Sequence, residues 1–298
     1  MYEFPISGVE TYWWLPGLVA FLIASLTSTG GVTGAFILLP FQVSILGYTT
    51  PGASPTNLLY NIIAIPSGVW RYHRDRRMVW PLAYLTTLGT LPGVVLGVAL
   101  RLKYLPDPRA FKLFAGVVLL LLGAKLAHDV IGRKKTARNA LGNERFEVGS
   151  IKLSFRKIGF SFNKQTYETS TMALGAFSFI VGVVGGAYGI GGGAILAPFM
   201  VAVLHLPVHA VAGAALVGTF ITSVVGILTY IFLGPLISGS STAAMPDWLL
   251  GISFGVGGAL GVYVGARLQR YFPARLIKGV LVTALLIIAA KYIAAYFW

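Results

Sequence analysis

The chain has no cysteine and is nearly as short of acids, with nine Asp and Glu among 298 residues. The first absence excludes disulfides, thiolate metal sites and any cysteine relay, although it does not identify a compartment. The second leaves no buried acid pair to suggest hydrolysis or proteolysis. Patterns of the HExxH, GxSxG and P-loop types are also missing. His205 and His209 have ligand-like spacing, but Pro207 spoils a helix between them and no third ligand is near, so neither a metal nor another cofactor is expected. The opening MYEFPISGVETYWW carries two acids and no basic stretch, so the first apolar helix is expected to be retained rather than cleaved as a signal peptide.

What the chain has in abundance is apolar. Hydrophobic residues make up 56% of it and charged ones 11%, with a mean hydropathy of +0.78, where soluble domains carry about 25% charged residues. This is the composition of an all-α polytopic membrane protein embedded in a lipid bilayer. Stretches long enough to cross a bilayer, which takes about 20 helical residues, centre on 52–72, 79–100, 109–131, 210–231, 248–266 and 276–295. Two further regions, 12–46 and 170–204, are equally apolar but interrupted by glycine.

Basic residues number 23 and set the net charge at +14. Their placement argues against nucleic acid as a partner: Arg71, Arg74, Arg76 and Arg77 crowd one short loop, and nine more, from Arg133 to Lys164, fill a central segment between spans. Basic residues at span ends mark the cytoplasmic side. Putting both segments in the cytoplasm of a cell-membrane protein gives each half an odd number of crossings and leaves both termini outside. Three parts are then expected: a first transmembrane repeat at 1–131, a basic cytoplasmic linker at 132–168 and a second repeat at 169–298. Arg101, Lys103 and Arg109 fall outside in this arrangement, against the rule. Within the linker, Ile151, Leu153 and Phe155 alternate with polar residues and predict a short strand hairpin.

The halves are related by an internal repeat. Sliding the chain by 158 positions (189 − 31) lays Gly31, Gly34, Ile37, Leu38, Pro40, Phe41, Val43 and Leu46 on Gly189, Gly192, Ile195, Leu196, Pro198, Phe199, Val201 and Leu204, eight identities in sixteen positions. The expected fold is therefore two inverted-topology repeats, each a Gly-broken helical hairpin followed by three transmembrane helices. Gly189, Gly191, Gly192 and Gly193 are too dense for a helix interior, where each costs about 1 kcal/mol against Ala. A break at membrane depth is tolerated where it is buried in protein or lines a wet cavity, and paired breaks point to a transporter's substrate site. Half-helix N-termini there would offer N–H groups and positive dipole ends to an anion. The candidate binding residues are Thr29, Gly30, Gly31, Thr33 and Gly34 at the first break and Tyr188, Gly189, Gly191, Gly192 and Gly193 at the second. Asn57, Asn61, Thr219, Thr222 and Ser223 on the following spans join them. No Lys or Arg is expected near either break, so neutral donors would hold the anion. Gly93, Gly97, Gly261 and Gly265 are read as helix-packing glycines, and Lys125 and Lys291 as snorkelling side chains.

The motif GGAYGIGGGAILAP, with its weaker copy TGGVTGAFILLP, resembles the TauE/SafE family of sulfite and organosulfonate exporters over nearly the whole chain. The first copy departs from the second in having Thr33 and Ala35 where Gly191 and Gly193 stand. The resemblance implies a secondary transporter that exports a small sulfur-containing oxyanion, coupled to a gradient of H+ or Na+. Import of another small anion such as thiosulfate, sulfate or a carboxylate is the alternative within the class. An intramembrane enzyme would need a nucleophile and base, or a metal triad, that the sequence does not display.

Overall fold

Apolar runs punctuated by glycine and proline become helices whose ends fall at those punctuations. The computed structural model describes residues 1–29, 33–74, 78–132, 148–153, 157–162, 165–202, 206, 208–238, 244–268 and 274–297. A small hairpin, β1 (Tyr2–Glu3) and β2 (Glu10–Thr11), precedes six helices of the first half: α1 (Leu15–Thr29), α2 (Ala35–Ser44), α3 (Ala53–Ala64), α4 (Pro66–Arg74), α5 (Trp80–Tyr104) and α6 (Pro108–Gly132). After β3 (Val148–Leu153), β4 (Lys157–Phe162) and β5 (Gln165–Ser170) come α7 (Thr171–Tyr188), α8 (Gly193–Ala202), α9 (Val208–Ser238), α10 (Trp248–Leu268) and α11 (Ala274–Phe297). Among the described residues six helices are long and apolar enough to cross a membrane. The protein is an all-α multi-pass membrane protein.

Two expectations need adjusting. The span centred on 52–72 is not one helix. Pro66 has no N–H to bond backward and its ring crowds the preceding turn, so α3 ends at Ala64 and the chain restarts with Pro66 as the first residue of α4. The linker holds three antiparallel strands in the order β3-β4-β5 rather than a two-stranded hairpin. The third strand, QTYETS, lies beyond the alternating stretch that announced the hairpin.

Glycine faces decide how the long helices meet. A Cβ at Gly93 of α5 would strike backbone at Phe179 and Val183 of α7, and one at Gly97 would strike Val183 and Ala187. Gly257 and Gly261 of α10 are pressed in the same way on Gly17 and Phe21 of α1. These are backbone-to-backbone contacts of the small-residue type, in which dispersion replaces the hydrophobic drive that lipid cannot supply. Residue numbers rise together in both pairs, so α5 runs parallel to α7 and α10 parallel to α1. Gly116 of α6 faces Tyr292 and Ile293 whereas Gly123 faces Leu285 and Leu286, so α6 and α11 are antiparallel. Helices α3 and α9 are antiparallel as well, with Leu58 beside Gly226 and Asn61 beside Ser223.

The two interrupted segments turn the chain back. Gly218 and Gly226 of α9 face Thr87 and Val94 of α5, so α9 runs with α5 and hence with α7, and α8 must return the chain between them. By the same reasoning Gly251 and Gly255 of α10 face Leu59 and Ile63, which aligns α3 with α10 and α1 and makes α2 the returning piece. Helices α2 and α8 have 10 residues each. At about 1.5 Å per residue that is roughly 15 Å, half of a hydrocarbon core about 30 Å thick. They pack on α3 and α9 respectively, and α2 begins in the protein interior, where Ala35 and Phe36 are buried.

The N-terminal hairpin is fastened to the second half by one carboxylate. Asp247, fully buried, accepts from Ser7 N at 2.9 Å and Ser7 Oγ at 2.7 Å and from Leu250 N at 3.1 Å, which caps α10. This carboxylate is thereby committed to structure.

Candidate functional site

The second break follows from its glycines. Tyr188 is the last residue of α7, and Gly189 closes the helix in the left-handed conformation (φ 85°, ψ 29°), its N–H bonding to Gly185 O at 2.9 Å. Gly191 is also left-handed, at φ 70°. Space is as short as conformation: a Cβ on Gly189 would sit 2.7 Å from both Cα and O of Ser54, and one on Gly193 would collide with Thr219 Oγ1 and Ala215 O. The break is thus pressed between α3 of the first half and α9 of the second.

Side chains from both helices complete its hydrogen bonding. Asn57 Nδ2 donates to Gly189 O at 2.8 Å and to Ala35 O, on the first residue of α2, at 2.9 Å. Its Oδ1 accepts from Gln42 Nε2 at 3.2 Å. One amide therefore ties the start of α2 to the end of α7. One turn along, Asn61 Nδ2 donates to Ile190 O at 3.0 Å and to Ser223 Oγ at 3.3 Å, while its Oδ1 is buried without a partner. Gly192 N donates to Thr222 Oγ1 at 3.3 Å. Tyr188 reaches the other way, its hydroxyl donating to Phe36 O at 3.1 Å.

This arrangement brings together Asn57, Asn61, Tyr188, Gly189, Gly191, Gly192, Gly193, Thr219, Thr222 and Ser223 around one point. At the first break Gly34 precedes α2, and a Cβ there would lie 2.8 Å from the Tyr60 hydroxyl. Thr33 Oγ1 is buried without a partner. Gly30, Gly31 and the side chain of Thr29 lie outside the described residues. Neutral side-chain donors, expected to face an anion, are largely spent. The asparagine amides satisfy backbone carbonyls, because a broken helix strands C=O groups at one end as surely as N–H groups at the other. Thr219 and Thr222 donate to carbonyls of their own helix, Ala215 O and Gly218 O, at 2.8 and 2.7 Å.

Arg101, expected in an external loop, lies instead in the last turn of α5 and is buried. It continues a face of α5 on which glycines recur every four residues, Gly89, Gly93 and Gly97, and that face is buried against α7. Arg101 is 0% exposed, with its Cζ 3.7 Å from the centre of the Phe111 ring. Gln42 and Tyr60, likewise missed, are fully or nearly fully buried polar positions in apolar helices. The four-residue spacing and the isolated polar letters were the available signals. Among the described residues no group of three His, Cys, Asp or Glu is placed to hold a metal. His205 and Pro207 lie outside the described residues.

A membrane-embedded bundle with two interrupted, returning helices meeting between counterpart helices defines an integral membrane transporter. The chain belongs to the sulfite exporter TauE/SafE family, whose model matches residues 17–292. It is 22% identical over 283 residues to "Probable membrane transporter protein YunE" of Bacillus subtilis (strain 168), covering 93% of this chain and 94% of that one. It is 24% identical over 265 residues to a "Probable membrane transporter protein" of Xylella fastidiosa (strain 9a5c), covering 87% and 84% of the two chains. No solved structure matches it significantly.

Proposed function

We propose that the protein is a secondary transporter that exports a small sulfur-containing oxyanion, sulfite or an organosulfonate, bound where the breaks meet between α3 and α9. The observation that carries this reading is the clasp on residues 189–192: Asn57 and Asn61 of one half and Thr222 of the other hold an unwound backbone inside the bundle. Unwound backbone buried in this way is a feature of transport sites. The antiparallel meeting of α6 with α11 and of α3 with α9, each pair being counterparts in the two halves, supports inverted repeats. With basic loops inside, both termini then lie outside the cell membrane. Rocking of one half against the other would expose the site alternately to the two sides, driven by H+ or Na+.

Proteoliposomes holding the purified full chain test the reading, with labelled sulfite, taurine, sulfate, thiosulfate and pyruvate offered under imposed pH or sodium gradients. Flux of sulfite or taurine that one gradient accelerates is the expected result. Protein that moves sodium or a neutral solute, with no flux of any sulfur oxyanion, refutes it.

A further inference from the structure

Arg101 is a fully buried cation that no carboxylate balances among the described residues. Its Nε and both terminal nitrogens are buried and lack any hydrogen-bond partner, although a guanidinium carries only donors and stays protonated. No carboxylate whose side chain is described bonds to it. Glu3 and Glu10 lie in the N-terminal hairpin, Asp107 caps α6 through Ala110 N and Asp247 holds Ser7. Beside the guanidinium is the Phe111 ring, and Tyr230, in one buried cluster with Val98 and Leu102 of α5, has its hydroxyl engaged with Gly186 O at 3.2 Å. A ring face attracts a cation but does not neutralise it, and a buried charge without a partner is among the costliest features a fold can carry.

The charge also stands beside the break. Helices α5 and α7 run parallel, with Gly97 against Val183 and Ala187, so the next turn of α5 brings Arg101 level with Tyr188 and Gly189. The Phe111 ring beneath the guanidinium lies 6.3 Å from the Tyr188 ring. In the sequence of the second half, aligning Gly93 and Gly97 with Gly261 and Gly265 sets Gln269 opposite Arg101.

We propose that Arg101 is the fixed countercharge of the transported anion: its guanidinium, lying on Phe111, takes two oxygens of one oxyanion face, that of a sulfonate or sulfite, beside the break at Gly189. A planar fork of donors suits paired oxygens and not a spherical ion such as chloride. The inference rests on the transport reading for where the anion goes afterwards, but not for its binding. A single charge against neutral surroundings also leaves release feasible, since no second cation holds the anion.

Purified full-length protein in detergent is titrated calorimetrically with methanesulfonate, sulfite and chloride, as wild type, Arg101→Gln and Arg101→Lys. Thermal stability is recorded without added oxyanion. Truncating one partner of a buried charge pair predicts that Arg101→Gln weakens methanesulfonate and sulfite by about thirtyfold or more. The anion-free protein should unfold no earlier than wild type, because an uncompensated charge has been removed. Arg101→Lys keeps the charge and loses the fork, so it should bind weakly and lose the preference for methanesulfonate over chloride. Arg101→Gln affinities within threefold of wild type overturn the proposal, as does earlier anion-free unfolding with affinity retained, which marks a structural role. If Arg101→Gln fails to assemble, an unchanged preference in Arg101→Lys overturns it. Liposome flux separates this inference from the function it refines. Sulfite flux with the same KM in wild type and Arg101→Gln defeats the inference alone, whereas Arg101-dependent binding without flux of any anion defeats the transport reading alone.

Discussion

Replacing Asn57 by Leu tests whether one amide holds the two interrupted helices together. The substitution keeps the side-chain volume roughly constant and removes three hydrogen bonds, to Ala35 O, Gly189 O and Gln42 Nε2. All three partners are buried too deeply for water to replace the lost amide, and an orphaned buried polar group costs about 1–3 kcal/mol. Allowing for relaxation, the loss is about 3–5 kcal/mol, or on the order of 10 °C in Tm at about 2–4 °C per kcal/mol for a large domain. Asn61→Leu is the informative comparison. It also frees two partners, Ile190 O and Ser223 Oγ, but the hydroxyl can rotate to a helix carbonyl. The change also deletes an Oδ1 that already lacks a partner. Its net cost should be about 1–2 kcal/mol by the same accounting. The assay is thermal unfolding of both variants in detergent, followed by tryptophan fluorescence and by retention of the monodisperse peak on gel filtration. Asn61→Leu unfolding at or below the temperature of Asn57→Leu would refute the reasoning, since the unpaired oxygen would then carry no cost and the triple bond set no advantage.

Two further outcomes are expected. Gly189→Ala should lower the unfolding temperature and reduce flux, because the residue is left-handed and its Cβ would lie 2.7 Å from Ser54 backbone. Gly279→Ala, whose Cβ meets nothing within 4 Å, should be neutral or slightly stabilising, and equal behaviour of the two variants would return the break to ordinary packing. Single cysteines introduced at positions 3 and 150, against a background without native cysteine, should label from opposite sides of the membrane, the first from outside. Labelling of both from one side would contradict the inverted arrangement.

Much of the architecture was legible because hydropathy, glycine and proline act locally. Spans at 79–100, 109–131, 210–231, 248–266 and 276–295 correspond to α5, α6, α9, α10 and α11, and the glycine clusters fall between α1 and α2 and between α7 and α8. Even the packing role of Gly93, Gly97 and Gly261 could be read from spacing, because a bare backbone strip on a membrane helix has few other uses. Pro66 shows the limit of averaging: a hydropathy window sees one apolar stretch where a single missing N–H makes two helices.

The sequence by itself determined that this is a helical membrane protein with glycine-rich interruptions in two apolar segments that share a short internal repeat, since composition, periodicity and repeated letters need no knowledge of which helices touch. Only the tertiary structure decided what the polar residues do there. Asn57 and Asn61 stand out as amides in apolar helices, but the break carbonyls they bond are 132 and 129 positions away, and no local rule can tell a donor aimed at substrate from one already spent on backbone. Arg101 inverts the case. Near the end of a span, loop charge placed it in water. The parallel packing of α5 on α7 instead carries its face into the interior, because a residue's environment is set by whichever helix arrives beside it.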